Sequence, residues 1–380
     1  MADVPAPTGP ARRSRLPSFH QLVATRGFQR WAARFPLTRR LVRREGEALF
    51  DLLAGFCHSQ VLMALVQLDI PETLMAGPVA GRSLAARTGV PEERMAVLLR
   101  AGVALGLLKE RRGGCFALTQ RGAALAGVPG LQAMIRHHDV LYRDLADPVA
   151  FFRGETDPEL AGFWPYVFGG EVDPQVAATY SDLMAQSQLL VADDTLDAVS
   201  LKNVSHLMDI GGGTGAFLAE AGNRYPALRM TLFDLPAVAP HAEARFAQAG
   251  LTGRTRVAGG SFRSDPLPEG ADAISLVRVL YDHTDETVAA LLSKVFGVLP
   301  PGGRLIISEP MSGGRRPERA GDAYFAIYTL AMGTGKARSA AEIGAMCRAA
   351  GFEKVQEFSA RRPFITRCLV ATKGRKAMSN

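Results

Sequence analysis

The stretch HLMDIGGGTGAFLAEAG, residues His206–Gly222, joins a short apolar run to a loop of glycines and a segment with helical character. The apolar run predicts a buried strand, and AFLAEAG predicts a helix. Glycines at 211, 212, 213 and 215 suit a backbone that passes close to a ligand at the carboxyl end of a strand. The stretch therefore predicts a ligand-binding strand–loop–helix unit. The alternative is a glycine turn that serves only the packing of the helix on the strand.

Further apolar runs continue this alternation of strand and helix after the glycine loop. Because they are apolar on both faces, they are typical of a parallel sheet covered by helices. We predict the fold class α/β, with a doubly wound, Rossmann-like sheet closed at one edge by an antiparallel pair. The predicted strands are HLMDI (His206–Ile210), RMTLFDL (Arg229–Leu235), TRVAG (Thr255–Gly259), AISLVRVL (Ala273–Leu280) and RLIISE (Arg304–Glu309), with KVQEF (Lys354–Phe358) and ITRCLVA (Ile365–Ala371) as the closing pair.

Two acidic residues flank the glycine loop in the predicted fold. Asp234 stands near the end of the second strand, where its carboxylate can hold ribose hydroxyls. Asp209 directly precedes the loop and would repel a pyrophosphate, which disfavours NAD. A nucleoside that carries a cation, such as S-adenosylmethionine, fits better. The cofactor-binding residues predicted around this loop are Asp209, Gly211, Gly213, Gly215, Asp234 and Leu235.

The net charge of +7 is concentrated at the N-terminus. Residues 1–44 hold ten arginines and one acidic residue, a local charge of +9, so the rest of the chain sums to −2. Aromatic residues such as Trp31 and Phe35 are interleaved with these arginines, which favours peripheral contact with an anionic membrane surface. A solvated arm is the alternative. The nearly neutral remainder argues against a nucleic-acid groove, and no nucleic-acid partner is expected.

Residues 45–135 predict short helices followed by a hairpin, which is the order of a winged helix. Glu92 and Glu93 stand where a DNA-reading helix needs Lys or Arg, so we expect a dimerising role and a homodimer. The predicted division is a basic arm over 1–44, a winged-helix-like dimerisation domain over 45–135, a helical substrate-pocket segment over 136–200 and a cofactor-binding domain over 201–380.

Composition predicts a cytoplasmic location. Leu52–Leu68 is short and polar for a membrane-spanning helix, and no apolar leader begins the sequence. The four cysteines lie far apart, without the spacing of a disulfide framework or a zinc site. His137 and His138 are adjacent and lack the spacing of metal ligands, so we interpret them as pocket or surface residues and expect no metal.

These motifs resemble the plant-type small-molecule O-methyltransferases and their bacterial relatives, which use S-adenosylmethionine without a metal. The resemblance covers residues from about 50 to 375 and includes FDLPAV (Phe233–Val238), GGSF (Gly259–Phe262), RVLYDHTDE (Arg278–Glu286) and LPPGGRLIISEP (Leu299–Pro310). Within the family, YRDLADPVAFFRG (Tyr142–Gly154) and FWPYVFG (Phe163–Gly169) are most similar to the bacterial carotenoid O-methyltransferases of hydroxyneurosporene and demethylspheroidene. The resemblance implies methylation of a tertiary hydroxyl in spheroidene-type carotenoid biosynthesis.

The family's catalytic histidine is replaced in this chain. Its His-Asp-Trp segment corresponds to Tyr281, Asp282 and His283, so the usual general base is missing. The resemblance also assigns Glu309 to the acid that supports that base. The candidate catalytic residues are therefore His283, Tyr281, Asp282 and Glu309.

A second departure concerns the adenine. The family's acidic residue in a Gly-Asp-Phe segment is Ser261 here, so one adenine contact is weaker or comes from elsewhere. Phe262 can still stack on the purine. Arg278 is the candidate for the missing contact, and these three residues complete the predicted cofactor site.

The missing histidine favours an aliphatic alcohol as the acceptor. A base that works near neutral pH can deprotonate a phenol of pKa about 10, whereas a tertiary alcohol loses its proton only as the new C–O bond forms. Eight aromatic residues between 142 and 180 support a large apolar substrate. Two alternatives stay open: a phenolic or polyketide acceptor, and a protein that binds S-adenosylmethionine as a regulator or for a different reaction.

Overall fold

The computed structural model describes residues 18–163 and 187–375. Its described N-terminal part is helical and includes a small antiparallel sheet of order β1-β3-β2. The predicted order of helices followed by a hairpin is confirmed, and Leu65, Leu84, Leu99 and Phe116 share the core of this part. The elements are α1 (Phe19–Val23), α2 (Arg26–Arg34), α3 (Arg39–Gln67), α4 (Ile70–Met75), β1 (Val79–Ala80), α5 (Gly81–Thr88), α6 (Glu92–Ala104), β2 (Leu108–Arg111), β3 (Cys115–Leu118), α7 (Gln120–Gly127), α8 (Leu131–Asp144) and α9 (Pro148–Arg153), followed by a 3₁₀ turn at Glu159–Phe163.

Helix α3 exposes an apolar face. Leu49, Phe50, Leu52, Leu53 and Phe56 are each 63–74% exposed. By length and composition alone α3 can cross a membrane, because an 18-residue window has mean hydropathy 1.6 and only 17% of that window is buried. The helix begins before the Leu52–Leu68 stretch on which the sequence expectation rested, and the expectation that no membrane-spanning anchor is present stays a prediction. An exposed apolar face of this kind is also what a subunit interface buries.

The C-terminal part is built on a seven-stranded sheet of order β6-β5-β4-β7-β8-β10-β9. Its first five strands in chain order pair in parallel, and β10 runs antiparallel to both β8 and β9. The predicted doubly wound sheet with an antiparallel closing pair is confirmed. The strands are β4 (His206–Ile210), β5 (Arg229–Asp234), β6 (Thr255–Gly259), β7 (Ala273–Val277), β8 (Arg304–Glu309), β9 (Lys354–Phe358) and β10 (Arg367–Thr372).

Helices cover both faces of this sheet, which is why its central strands are apolar throughout. Every residue of β7 is buried. The predicted run to Leu280 overshoots β7, because the chain turns at Arg278 and forms a 3₁₀ turn at Leu280–Asp282. The covering helices are a helix over 187–198 (α10), α11 (Ala216–Arg224), α12 (Ala239–Gln248), α13 (Asp285–Val298), a π-helical segment (Arg319–Phe325) that continues into α14 (Ala326–Ala331), and α15 (Ala340–Ala349).

Helix α10 is tied to the C-terminal sheet by a buried ion pair. Asp194 is 0% exposed and receives bidentate hydrogen bonds of 2.7–3.1 Å from the Arg362 guanidinium. Next to it, the Thr195 and Ser308 hydroxyls are hydrogen-bonded. Helices α3 and α8 cross the boundaries expected at 44/45 and 135/136, and the domain division remains a prediction.

We expect Asp194→Asn to lower the free energy of unfolding by about 1.5–3 kcal/mol, because charged hydrogen bonds from Arg362 to the fully buried side chain at position 194 are lost. Urea denaturation measures this change. The matched control is Arg361→Ala: this side chain is 76% exposed and pairs with Asp197 at 3.1 Å, so its loss should cost no more than about 1 kcal/mol. Equal effects of the two substitutions would show that the buried pair does not hold α10.

Candidate active site

The glycine loop lies at the carboxyl edge of the sheet and is held by Asp234. One carboxylate oxygen of Asp234 accepts a 2.7 Å hydrogen bond from the Gly213 amide, and the other accepts one of 2.7 Å from the Leu235 amide. Burial raises the pKa of Asp234, and these two amide bonds oppose that shift. Each oxygen keeps a second lone pair for a ligand hydroxyl. Gly215 has φ of 76°, and a Cβ there would lie 2.6 Å from the Phe246 ring.

Asp209 lies directly behind this loop and is fully buried. Its Oδ1 accepts a 2.6 Å hydrogen bond from the Ser275 hydroxyl, while Oδ2 has no hydrogen-bond partner among the described residues. A Cβ at Gly212 would lie 2.2 Å from Oδ2, so only glycine fits there. Burial raises the pKa of Asp209 to about 7. A buried carboxylate without a cationic partner fits a positively charged ligand better than a pyrophosphate.

A second group of residues lies around Ser261 and Phe262, which are both half-buried. The Phe262 and His283 rings meet edge to face at 5.2 Å, and Arg263 contacts the Nδ1 atom of His283 at 3.3 Å. Lys294 donates to the carbonyl oxygens of Phe262 and Arg263. Burial, together with nearby guanidinium groups, lowers the pKa of His283 to about 4, so its imidazole is neutral near pH 7. His283 thus lies beside the predicted purine-stacking residue.

The loop that carries Tyr281 is fixed from both sides. Glu309 Oε2 accepts hydrogen bonds from the amides of Leu280 (2.9 Å) and Tyr281 (3.3 Å). Arg338, 1% exposed, donates to the carbonyl oxygens of Leu280 (2.9 Å) and His283 (2.8 Å). Glu309 therefore positions the backbone of this loop.

Two more carboxyl groups near this loop are only partly satisfied. Asp282 Oδ1 and Glu309 Oε1 have no hydrogen-bond partner in the part of the chain that the structure describes. Burial raises the pKa of Glu309 to about 7 and the pKa of Asp282 well above its usual range. In both groups burial therefore favours the protonated carboxyl over the carboxylate.

Arg278 lies next to the Tyr281 hydroxyl. Its guanidinium donates to the Ser187 hydroxyl at 2.7 Å and to the Tyr281 hydroxyl at 3.3 Å. Its backbone has φ of 58°, a conformation that costs a non-glycine residue about 1–3 kcal/mol. Burial raises the pKa of Tyr281, so its phenol stays protonated at neutral pH.

The sequence reasoning missed two tyrosines that pair with the adjacent histidines. His137 Nε2 lies 2.9 Å from the Tyr328 hydroxyl, and His138 Nε2 lies 2.6 Å from the Tyr324 hydroxyl. Both imidazoles are half-buried where α8 meets the segment that ends in α14, and their interpretation as pocket or surface residues stays a prediction. The sequence signal that could have indicated these pairs is the four-residue spacing of Tyr324 and Tyr328, which places both tyrosines on one face of a helix.

Part of the expected aromatic pocket lies outside the described residues: Trp164, Tyr166, Phe168 and Tyr180. Of the others, Phe151 is buried and Phe152 is 62% exposed. Within residues 18–163 and 187–375, no group of three or more His, Cys, Asp or Glu side chains is arranged to hold a metal ion.

Comparison with known proteins places this geometry in a family. The O-methyltransferase domain family matches residues 142–353, and the O-methyltransferase dimerisation domain matches residues 50–127. A protein of Cereibacter sphaeroides named demethylspheroidene O-methyltransferase is 57% identical over 355 residues, which is 93% of this chain and 94% of that protein. A protein of the same name from Rhodobacter capsulatus is 52% identical over 96% of this chain and 92% of its own length.

A solved structure shares the fold over both parts of the chain. Human N-acetylserotonin methyltransferase in complex with SAM superposes with a TM-score of 0.72 at 26% identity, over 87% of this chain and 98% of that one. The matched dimerisation domain supports a homodimer and includes most of the exposed face of α3. The chain belongs to the S-adenosylmethionine-dependent O-methyltransferase family that carries an N-terminal dimerisation domain.

Proposed function

We propose that this enzyme transfers a methyl group from S-adenosylmethionine to the tertiary hydroxyl of an acyclic hydroxycarotenoid, as part of spheroidene-type carotenoid biosynthesis. The observation that carries the proposal is the buried, protonated Tyr281 at the position of the family's catalytic histidine. The names of the two relatives above 50% identity support the same substrate class. When bound, S-adenosylmethionine supplies an electrophilic methyl group on a sulfonium sulfur.

The surroundings of Tyr281 suit an acceptor that needs no prior deprotonation. Tyr281 is a neutral phenol whose pKa is raised by burial, so it is a poor base for deprotonating an acceptor before methyl transfer. The loop is fixed by Glu309 and Arg338, so the acceptor oxygen can be held in line with the methyl group. Orientation of this kind can supply several kcal/mol of the barrier reduction, about 7–11 kcal/mol at its limit.

The cofactor assignment extends the same proposal. Asp234 binds the ribose hydroxyls of the cofactor, and the glycine loop lies against its methionine portion. Asp209 supplies negative charge behind the glycine loop. Ser261 and Phe262 form the purine side together with His283. The contacts of Arg278 with Tyr281 and Ser187 support a place on the acceptor side of the methyl group for this residue.

Asp234→Ala should weaken S-adenosylmethionine binding by about 1.5–3 kcal/mol, roughly 10–150-fold, because charged hydrogen bonds to the ribose and to Gly213 are both lost. Isothermal titration calorimetry measures the dissociation constant. Asp272→Ala is the matched control. The Asp272 carboxylate also accepts hydrogen bonds from two backbone amides, those of Ser205 and His206, but it lies at the opposite edge of the sheet. An unchanged affinity in Asp234→Ala, or an equal loss in both variants, would remove Asp234 from the cofactor site.

The substrate class is tested with the wild-type enzyme and labelled S-adenosylmethionine. We expect label in an acyclic carotenoid that carries a tertiary hydroxyl, and none in the same polyene without the hydroxyl. Phenols and naphthols offered at equal concentration serve as the rival acceptors. Preferential labelling of a phenol would replace the carotenoid by the phenolic alternative, and a lack of any transfer despite cofactor binding would favour a non-methylating protein.

We also propose that the N-terminal helices contact an anionic membrane surface, from which an apolar substrate is taken. Arg30 and Arg34 line an open groove together with Trp31 and Phe35. The rings of Trp31 and Phe35 stack at 5.0 Å, and Trp31 is 51% exposed. Exposed rings among cationic side chains are typical of segments that lie at the lipid headgroup level.

Arg30→Ser with Arg34→Ser should weaken binding to anionic vesicles by about 2 kcal/mol, near 1 kcal/mol for each lost charge at the surface. Sedimentation with phosphatidylglycerol vesicles, and with phosphatidylcholine vesicles for comparison, measures this. The charge-matched control is Arg111→Ser with Arg112→Ser, two exposed arginines on the β2–β3 hairpin. If both pairs lower binding equally, or neither does, the arm does not form the membrane contact.

A further inference from the structure

Two histidine–tyrosine pairs join α8 to the C-terminal part of the chain. In the first, His137 Nε2 lies 2.9 Å from the Tyr328 hydroxyl; in the second, His138 Nε2 lies 2.6 Å from the Tyr324 hydroxyl. Tyr328 is 5% exposed and packs among apolar residues of α8 and α9, while the other three side chains are half-buried. The pairs therefore bring polar groups into a largely apolar region.

The first pair adjoins the loop that carries Tyr281. The chain that follows Tyr328 wraps this loop: the Lys336 amide donates to the Tyr281 carbonyl at 2.8 Å, and the Thr334 hydroxyl donates to the Asp282 carbonyl at 2.9 Å. Besides burial, Tyr281 and Asp282 also raise the pKa of Tyr328, which agrees with this proximity. Tyr324 precedes Tyr328 by one helical turn, and the two rings lie 6.2 Å apart, so the second pair is the natural control for the first.

Both members of the first pair are neutral at physiological pH. Burial lowers the pKa of His137 to about 4 and raises the pKa of Tyr328 well above its usual value. A neutral imidazole has one ring nitrogen that accepts, and a phenol both donates and accepts. With its proton directed to His137 Nε2, the Tyr328 oxygen keeps lone pairs for a second donor.

We propose that the Tyr328 hydroxyl binds the acceptor hydroxyl of the substrate and that His137 takes up the reaction's proton through Tyr328. This inference rests on the proposed function, since an alcohol that keeps its proton until the C–O bond forms needs a group that takes up the proton at that moment. As the substrate oxygen bonds to the methyl carbon, the S–C bond breaks and its electron pair goes to sulfur. The substrate proton passes to the Tyr328 oxygen, and the Tyr328 proton passes to His137 Nε2, which leaves an imidazolium that later releases its proton to water.

A weak proton acceptor is sufficient for this step, since the oxonium formed during attack is a strong acid. We therefore expect a contribution of at least about tenfold, which can lie below the 10²–10⁴-fold of a full general base. His137 is a positioning and relay residue, because it acts through the tyrosine.

The first test measures single-turnover methyl transfer at saturating cofactor, with an acyclic tertiary-hydroxyl carotenoid as the acceptor. Tyr328→Phe and His137→Gln should each lower the rate at least about tenfold, with the cofactor dissociation constant within about twofold of wild type. The matched controls Tyr324→Phe and His138→Gln should lose clearly less. Equal losses in the two pairs, or rates near wild type in Tyr328→Phe, would overturn the proposal.

A second measurement separates this inference from the substrate assignment and from misfolding. Nitrogen-15 histidine NMR of the ligand-free enzyme should show His137 with an unprotonated Nε2 whose shift changes in Tyr328→Phe, while His138 is unchanged. A protonated Nε2 at His137 would overturn the relay. If the wild type methylates only phenols, the proposed substrate is wrong, yet the same four variants and spectra, run with that phenol, still decide the role of Tyr328.

Discussion

Parallel pairing of β4 with β5 on one side and β7 on the other brings every element of the site to one edge of the sheet. The register sets Asp209 beside Leu232 and Ser275, so the strands end at the same level and their loops meet. Because helices cover both faces, an acidic residue in this register is fully buried, and Gly212 must pass over it without a side chain. The glycine loop, the carboxylate of Asp234 and the Tyr281 loop all depend on this alignment.

Burial of charge gives the site its chemical character. Asp209 and Glu309 are fully buried with raised pKa values near 7, and each keeps an oxygen without a partner among the described residues. Two cations, Arg278 and Arg338, organise the Tyr281 loop from opposite sides. The loop thus has a fixed backbone, and its Tyr281 side chain is a neutral phenol. Such an arrangement suits alignment of an uncharged alcohol with a cationic methyl donor better than removal of a proton beforehand.

Structural features that depend on neighbouring residues could be predicted from the sequence. Strand ends at Ile210 and Glu309, the glycine loop and the closing hairpin follow from apolar runs and turn residues, and they agree with the structure to within a few positions. Contacts between residues far apart in the sequence could not be predicted from it. His137 meets Tyr328 across 191 positions, and no local pattern reports such a pair. The separation of Tyr281 from His283 arises because the 3₁₀ turn at Leu280–Asp282 directs neighbouring residues to different sides.

The claim at the centre of this account is that Tyr281, the residue in place of the family's histidine, neither takes up nor gives away a proton during the reaction. Single-turnover methyl transfer by Tyr281→Phe, with saturating cofactor and an acyclic tertiary-hydroxyl carotenoid, tests it most directly. The account predicts a loss below about tenfold, since among the described residues the hydroxyl of Tyr281 is hydrogen-bonded only to Arg278, at 3.3 Å. A loss of about 10³-fold or more, with cofactor affinity unchanged, would show that the Tyr281 phenol takes part in proton transfer and would contradict the account.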